Sequence, residues 1–199
     1  MSLKKIKYLF YTLCISLTLT GCSRLPSIPE ESENTWENSG YITVGNTLTI
    51  QNTNDRLSLI NNMDALSADG LYYASWAAGS PEAIQNSNGD TINVYDAQLY
   101  LLLGEFPDGQ SAQDAMDQWL AAGKTNYEVL SEEEITCNGQ SYSLITYNCI
   151  HDNNPYDCGI SAFGIYHNSA VCIELTCREN DRENLKTTMN EFLNNCNYK

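Results

Sequence analysis

The side chains that could perform nucleophilic or acid–base chemistry are few in this 199-residue sequence. A serine or cysteine nucleophile needs an adjacent base, usually histidine, and both histidines, His151 and His167, fall in predicted loops. No serine lies in a G-x-S-x-G motif. Carboxylates that could form a hydrolytic pair occur at 132–134 and at Asp114 and Asp117, in settings typical of a solvated surface. We therefore predict no catalytic residues, and a hydrolase ranks third among the functions considered.

Aromatic side chains offer a different chemistry, the binding of a ligand. The sequence contains 13 tyrosines and 3 tryptophans. Tyr72 and Trp76 lie on one predicted strand and share a face, whereas Tyr73 points to the other face. Tyrosine and tryptophan favour interfaces because they combine apolar area with a polar tip, although half-buried sheets favour them too. Tyr72 and Trp76 are therefore candidate ligand-binding residues.

Metal ligands are the third possibility. The segment 152–157 is the best cluster of oxygen donors for a calcium ion. It lacks the spacing of an EF-hand loop, and its Asn and Asp residues are also those that form turns, so a turn is the favoured interpretation. No C-x-x-C pair is present to indicate a zinc site. We predict no metal and no cofactor.

The N-terminal residues have the pattern of a secretory signal. Three lysines within the first seven residues precede an apolar run, Tyr8–Leu19, that is too short to span a bilayer. Leu19-Thr20-Gly21-Cys22 resembles the lipobox of bacterial lipoproteins. That resemblance implies removal of residues 1–21 and diacylglyceryl lipid, with fatty acids such as palmitate, on Cys22. Two acyl chains give stable anchoring, so we expect the mature protein on the extracytoplasmic face of the cell membrane.

Charge restricts the possible partners. The 25 acidic residues all follow the predicted cleavage site, where seven basic residues remain, so the mature protein has a formal charge of −18. A field of that sign repels nucleic-acid backbones and anionic lipid headgroups. We predict no nucleic-acid binding, and a membrane association that depends on the lipid of Cys22.

The cysteines that follow Cys22 are even in number. They are Cys137, Cys149, Cys158, Cys172, Cys177 and Cys196. In an exported protein this pattern favours up to three disulfides. A hairpin centred on residues 153 and 154 would place Cys149 opposite Cys158, so we predict that pair. The pairing of the other four stays open, although Cys196 could tie the last helix to the sheet.

The chain after the signal divides into a tether and one domain. Residues 22–40 begin with the acylated cysteine and are rich in Ser, Pro, Glu and Asn, which favours a flexible tether. Residues 41–199 have the length of a single domain. Helical periodicity predicts helices at about 111–122, with Ser111 as N-cap and Gly123 at the C-terminal end, and at about 182–196.

Strand-like patterns fill the rest of the domain. They cover residues 48–51, 56–60, 71–77, 92–106, 127–137, 142–150, 159–166 and 170–177, and Asn138-Gly139 predicts a hairpin. Because strands and helices run in separate blocks, the predicted class is α+β. We expect an antiparallel sheet, with a meander in the C-terminal half, and both helices packed on one face.

This order of elements resembles the Mog1/PsbP-like fold, and the phrase Leu71-Tyr72-Tyr73-Ala74 belongs to the same resemblance. It covers about residues 41–198 and includes no catalytic motif. The resemblance implies a non-enzymatic binding or assembly protein, by analogy only, because a fold does not carry function. The sequence thus predicts a lipid-anchored protein with a protein partner at the cell surface. The alternative is a small-ligand or glycan-binding lipoprotein that uses Tyr72 and Trp76.

Overall fold

The strands and helices follow the order expected of an α+β protein. We describe a computed structural model over residues 41–51, 56–66, 70–85, 89–150 and 154–199, with the backbone alone for 61–66. The signal, Cys22, the tether and His151 lie outside the described residues. The elements are β1 (Tyr41–Val44), β2 (Leu48–Gln51), β3 (Ser58–Leu66), β4 (Leu71–Ala78), β5 (Glu82–Gln85), β6 (Thr91–Val94), β7 (Ala97–Glu105), α1 (Gly109–Asn126), β8 (Tyr127–Cys137), β9 (Gln140–Cys149), β10 (Cys158–Tyr166), β11 (Ser169–Cys177), a 3-10 helix (Glu179–Asn184), α2 (Leu185–Asn194) and β12 (Cys196–Tyr198).

The largest sheet has the strand order β3-β4-β7-β11-β10-β9-β8, and each neighbouring pair is antiparallel. Its second half is the meander predicted from the sequence. Asn138 and Gly139 close the β8–β9 hairpin with φ values of 48° and 78°, because two-residue hairpin turns need positive φ at both positions. The predicted α+β class with an antiparallel sheet is confirmed.

The two faces of this sheet carry separate cores. Leu101 and Ile173 pack with Met189 of α2 and with the small sheet β1-β2-β12 on one face, which we call the α2 face. Leu102 and Phe163 pack with α1 on the opposite, α1 face. The prediction that both helices pack on one face is not confirmed. Consecutive residues of the central strands are apolar and point to opposite faces, so each face needs its own cover.

Helix α1 is longer than predicted at both ends. Asp108, rather than Ser111, is the N-cap, because its Oδ1 accepts a hydrogen bond from the Ser111 backbone N–H at 2.8 Å. Gly123 lies inside the helix, where a Cβ would stand 3.4 Å from Phe163 Cζ. The glycine therefore faces Phe163 of the sheet from inside the helix and does not mark the end of the helix.

The predicted helix at 182–196 is divided in the structure. A 3-10 helix precedes α2, which ends at Asn194. Cys196 then belongs to β12 and pairs with Ile50 of β2. The apolar side chains that predicted one long helix belong partly to α2 and partly to β12. Both elements bury these side chains in the core of the α2 face.

The predicted strand at 92–106 is two strands, β6 and β7, separated at Tyr95 and Asp96. At this break the Asp96 backbone N–H donates to the Ala78 carbonyl at 3.1 Å. β6 instead pairs with β5 in a separate two-stranded sheet. Among the described residues, no helix combines the length and apolarity needed to cross a bilayer.

Candidate functional site

The aromatic pair singled out in the sequence does not form an exposed strip. Trp76 is 1% exposed and meets Phe192 of α2 edge-on, with ring centroids 4.9 Å apart. Tyr72 is half-buried against the same core, and its hydroxyl accepts a hydrogen bond from Asn46 Nδ2 at 3.5 Å. The two share a face as predicted, but α2 and the small sheet cover that face.

The structure does not place Cys149 opposite Cys158, as the predicted pair assumed. Asn148, not Cys149, lies opposite Cys158 in the β9–β10 ladder. Cys149 packs toward the α1 face and Cys158 toward the α2 face. The prediction was wrong by one residue in register, and a shift of one residue moves a side chain through the sheet.

The other cysteines are distributed over both cores. Cys177 lies directly opposite Cys158, and Cys137 and Cys196 belong to the same α2-face core, whereas Cys172 is on the α1 face. All six are thiols in this structure, and no pair of them stands at bonding distance.

The acidic side chains considered for hydrolysis are engaged on the surface. Their partners are Lys124 for Glu132, Lys186 for Glu133, Ser143 for Glu134, Gln110 for Asp114 and Gln113 for Asp117. His167 occupies the β10–β11 turn with a φ of 51°, and its ring packs against Tyr166. The structure brings none of these groups together into one site.

A half-buried carboxylate that the sequence did not single out lies in the middle of the α1 face. Glu174 belongs to β11, and its neighbours Ile173 and Leu175 point into the α2-face core, so Glu174 points to the opposite face. Its register partners are Tyr100 on β7 and Ser161 on β10. Hydroxyl-bearing side chains from both neighbouring strands therefore flank the carboxylate.

One oxygen of Glu174 accepts two hydrogen bonds. The hydroxyls of Tyr147 and Tyr127 both donate to Oε1, at 2.6 and 2.8 Å. The two rings are stacked with centroids 3.9 Å apart and planes within 9°. Oε2 accepts no hydrogen bond from the described residues. The carboxylate is thus held firmly at one oxygen, while the other has remaining capacity as an acceptor.

Tyr147 reaches Glu174 only because residue 159 is a glycine. The two are register partners on β9 and β10, and β10 lies between Tyr147 and the strand of Glu174. A Cβ at Gly159 would lie 2.5 Å from Cζ of the fully buried Tyr147 ring. The absence of a side chain gives the ring a path across β10.

Two further tyrosines stand on the other side of the carboxylate. Tyr73 and Tyr100 are buried, and their rings stack with centroids 6.0 Å apart. We call Glu174 with these two stacked pairs, Tyr127/Tyr147 and Tyr73/Tyr100, the Glu174 site. Two pairs of aromatic rings thus flank a single carboxyl group.

Burial governs the protonation of the site. Burial raises the pKa of the Glu174 carboxyl above its ordinary value, although the hydrogen bonds from Tyr147 and Tyr127 act in the opposite direction. Burial also raises the pKa of Tyr147 and Tyr100 well above the ordinary range, and the charge of Glu174 adds to this effect. Because burial also raises the pKa of Tyr73, the phenols of Tyr73, Tyr100 and Tyr147 stay neutral at physiological pH.

A fifth tyrosine lies beside the same face, next to the β5–β6 sheet. The Tyr156 hydroxyl donates to Gln98 Oε1 at 3.0 Å and accepts from the Tyr95 backbone N–H at 3.3 Å. Burial raises the pKa of Tyr156 to about 12. Its ring packs with Ile92 and Val94 of β6, which ties the small hairpin to the loop before β10.

Glu105 provides a contrast with Glu174, because both of its oxygens are engaged. Oε1 accepts from the Asn46 backbone N–H at 2.6 Å and from Thr47 Oγ1 at 2.8 Å, and Oε2 accepts from Asn46 Nδ2 at 2.8 Å. Burial alone would raise the pKa of Glu105, but these hydrogen bonds lower it below its ordinary value. Glu105 therefore has the arrangement of a structural contact that fixes the β1–β2 turn to the end of β7.

The sequence analysis did not single out Glu174, because the alternation of apolar and polar residues along β11 assigns this position to the solvent-facing side of the strand. Val171, Ile173 and Leu175 alternate around it and account for the strand by themselves. The one signal in the sequence was an acidic residue within an otherwise apolar strand. Which side chains surround that residue depends on which strands pair with β11. That pairing is not contained in the local pattern.

No protein-family model and no curated protein matches the sequence. The structure is similar to the solution structure of cyanobacterial PsbP (CyanoP) from Synechocystis sp. PCC 6803, with 13% identity, a TM-score of 0.40 and coverage of 72% of this chain and 93% of that one. It is also similar to the extracellular domain of PknH from Mycobacterium tuberculosis, with 11% identity, a TM-score of 0.33 and coverage of 84% and 92%. The similarity to CyanoP agrees with the weak resemblance to the PsbP-like fold that the order of elements predicted. At these TM-scores neither likeness carries a conclusion about family, site or function.

Proposed function

We propose that this protein is a lipid-anchored, extracytoplasmic, non-enzymatic binding protein, and that the Glu174 site holds a cationic group of a protein partner at the membrane surface. The anchoring part of the proposal rests on the signal pattern and on Cys22. The binding part rests on one observation, the carboxylate of Glu174 between two stacked tyrosine pairs with one oxygen free of hydrogen bonds from the described residues.

Physical chemistry favours a cation over other groups at such a site. A carboxylate attracts an ammonium or guanidinium group, and hydrogen bonds between ionised partners are about twice as strong as neutral ones. Aromatic rings add attraction for a cation within about 6 Å of a ring centroid. The formal charge of −18 on the mature chain attracts a basic partner from a distance as well. The two effects act in the same direction.

Binding also fits the site better than hydrolysis. Hydrolysis by carboxylates needs two of them on either side of the scissile bond. The groups described around Glu174 are hydroxyls, from Tyr127, Tyr147 and the register partners Tyr100 and Ser161. Phenols that remain protonated at neutral pH suit recognition by hydrogen bonding and not proton transfer.

A small-ligand or glycan binder is the second candidate, now with the Glu174 site in place of Tyr72 and Trp76. Stacked tyrosines and a hydrogen-bond acceptor are also what a sugar needs. The two candidates differ in their response to Glu174→Gln. An amide oxygen still accepts from a sugar hydroxyl, whereas a cationic partner loses its counter-charge.

Crosslinking and pull-down from the protein's own cells tests the proposal. We expect the wild-type protein and the control variant Glu132→Gln, which alters an exposed carboxylate beside Lys124, to recover the same protein partner. Glu174→Gln should lose it. Equal recovery by Glu174→Gln contradicts the proposal. Recovery of no partner, together with a thermal shift of both variants by a glycan panel, favours the second candidate.

A further inference from the structure

Cys158 and Cys177 bring their sulfur atoms into direct contact. They are direct register partners on β10 and β11, their Sγ atoms are 3.5 Å apart, and both side chains are 0% exposed. A disulfide needs an S–S distance of about 2.05 Å and a Cα–Cα distance of about 4.4–6.8 Å. Directly opposed residues in antiparallel strands have Cα atoms about 4.5 or 5.5 Å apart, so the backbone already has the required spacing.

We propose that Cys158 and Cys177 are joined by a disulfide in the mature, exported protein. The proposal shares with the proposed function only the extracytoplasmic location, where disulfides form and persist, and it is independent of the Glu174 site. Closing the gap between the two sulfur atoms requires side-chain rotation and no change in register.

The remaining cysteines are poorly placed to compete for either sulfur. Cys149 and Cys172 belong to the core on the other side of the sheet. Cys137 is at the far end of the strands, since it pairs with Gln140 at the start of β9, whereas Cys158 is opposite Asn148 near the end of β9. Cys196 lies near Cys137, because Asn138 Nδ2 donates to the Cys196 carbonyl at 2.8 Å.

The bond forms by exchange with an external disulfide, such as that of a dithiol oxidase. One cysteine, as its thiolate, attacks a sulfur atom of R–S–S–R, forms a mixed disulfide and releases RS⁻. The second thiolate attacks the protein sulfur of that mixed disulfide, forms the Cys158–Cys177 bond and releases another RS⁻. The two thiol protons pass to the two released thiolates, so two cysteines are oxidised and one R–S–S–R is reduced to two RSH.

Burial determines when this exchange can occur. It raises the pKa of both thiols above the ordinary value, and the proximity of Cys158 adds to the effect at Cys177. Only the thiolate attacks a disulfide, so the folded, reduced protein should react slowly. The bond therefore forms before β10 and β11 close over the sulfur atoms, and once formed it is protected from reductants.

The bond would lie where the end of β9, the loop before β10 and the 3-10 helix after β11 meet at one edge of the sheet. Next to it, the Asp157 backbone N–H donates to the Cys177 carbonyl at 3.1 Å, and the Cys149 backbone N–H donates to the Asp157 carbonyl at 2.9 Å. The Glu179 backbone N–H donates to Asp157 Oδ2 at 2.8 Å, which adds the 3-10 helix to these contacts. A covalent link here holds the loop before β10 against the end of β11.

Disulfide mapping of the full-length protein, extracted from its own membranes, tests the proposal. Free thiols are blocked with N-ethylmaleimide in denaturant without reductant. Trypsin is unsuitable, because no Lys or Arg lies between Lys124 and Arg178. Chymotrypsin and a glutamate-specific protease cut at Tyr156, Phe163 and Glu174 and separate the four cysteines of this region. We expect a peptide that links Cys158 to Cys177. Blocked thiols at both positions, or a bond from either one to another cysteine, overturns the proposal.

Matched variants give a second readout. Cys149→Ser should keep the Cys158–Cys177 peptide of the wild type. The pair predicted from the sequence alone would instead give a Cys149–Cys158 peptide in the wild type, which Cys149→Ser would lose. Wild-type protein that has been reduced in denaturant and refolded with reductant should melt roughly 6–12 °C below the oxidised protein, the scale expected for a loop of about 20 residues. The double variant C158S/C177S should not respond to reductant. An equal response in the double variant shows that another bond is responsible and contradicts the proposal.

Discussion

Among single residues, Glu174 is the one on which the proposed partner binding depends. Its carboxylate is half-buried and is anchored through Oε1 by the hydroxyls of Tyr147 and Tyr127. Burial raises its pKa, so ionising this carboxyl group costs free energy in the folded protein. Such a conflict between stability and local chemistry is expected at a functional site.

The pH dependence of stability should reveal this conflict. A carboxyl group whose pKa is raised by folding stabilises the protein at acid pH, and this contribution is lost as the pH rises through the folded-state pKa. Glu174→Gln keeps an oxygen acceptor for the tyrosines and removes the charge. We expect Glu174→Gln to be more stable than the wild type at pH 7, with the difference vanishing below about pH 4, near the ordinary glutamate pKa. Urea unfolding at several pH values measures this, with Glu132→Gln as the exposed control. A destabilised Glu174→Gln at pH 7 contradicts the burial argument.

Gly159 leaves the space that the Tyr147 ring occupies. A methyl group at this position would overlap the buried Tyr147 ring. We expect Gly159→Ala to destabilise the protein by about 1–3 kcal/mol, the usual range for overpacking, and to impair partner recovery in the same way as Glu174→Gln. Gly123→Ala is the control, because it adds a methyl group inside α1 at ordinary contact distance from Phe163 and should be neutral or stabilising. Equal stability of Gly159→Ala and Gly123→Ala in chemical denaturation contradicts the packing described here.

At the scale of helices and strands, the sequence predicts well wherever a local pattern determines the element. The Asn138-Gly139 hairpin and the strand at 127–137 are found as predicted, because turn chemistry and alternation are local. Helix ends were less predictable, since Asp108 and Ser111 are both good caps and only packing decides between them. The covering of both sheet faces, the strand order and the placement of Glu174 arise from contacts between distant residues.

The β1–β2 turn is an element whose position depends on one distant side chain. Glu105 of β7 holds this turn through three hydrogen bonds to Asn46 and Thr47. Because these bonds lower its pKa, Glu105 stabilises the fold at neutral pH, and the contribution is lost as the pH falls through the folded-state pKa. We expect Glu105→Gln to cost about 1 kcal/mol at pH 7 and to speed amide hydrogen exchange in β1 and β2, with a smaller cost at acid pH. Unchanged exchange in both strands contradicts this role.

For the whole molecule, the proposed lipid and the net negative charge have opposite effects on membrane binding. The proposed mature chain, residues 22–199, has a formal charge of −18, which an anionic surface would repel, so the proposal assigns attachment to acyl chains on Cys22. The same charge favours a basic partner. The anchor would keep the acidic domain near the membrane, and the Glu174 site would select what it holds there.

The anchor can be tested by metabolic labelling with a palmitate analogue. We expect label on the wild-type protein and on Cys14→Ser, whose cysteine lies in the predicted signal, and none on Cys22→Ser. The physical reason is that Cys22 supplies the sulfur atom of the lipid thioether. Label that persists in Cys22→Ser, or is missing from the wild type, contradicts lipid anchoring through this residue.

Carbon-detected NMR of residues 41–199 can show whether Glu174 binds a cation. The probes are butylammonium and butylguanidinium, with N-butylacetamide as the neutral control of similar shape. We predict that both cations shift the Glu174 carboxyl carbon and the Tyr147 ring signals, that the amide does not, and that the Tyr147 response disappears in Glu174→Gln. Cations that shift exposed carboxylates such as Glu132 and leave Glu174 unchanged would contradict the claim.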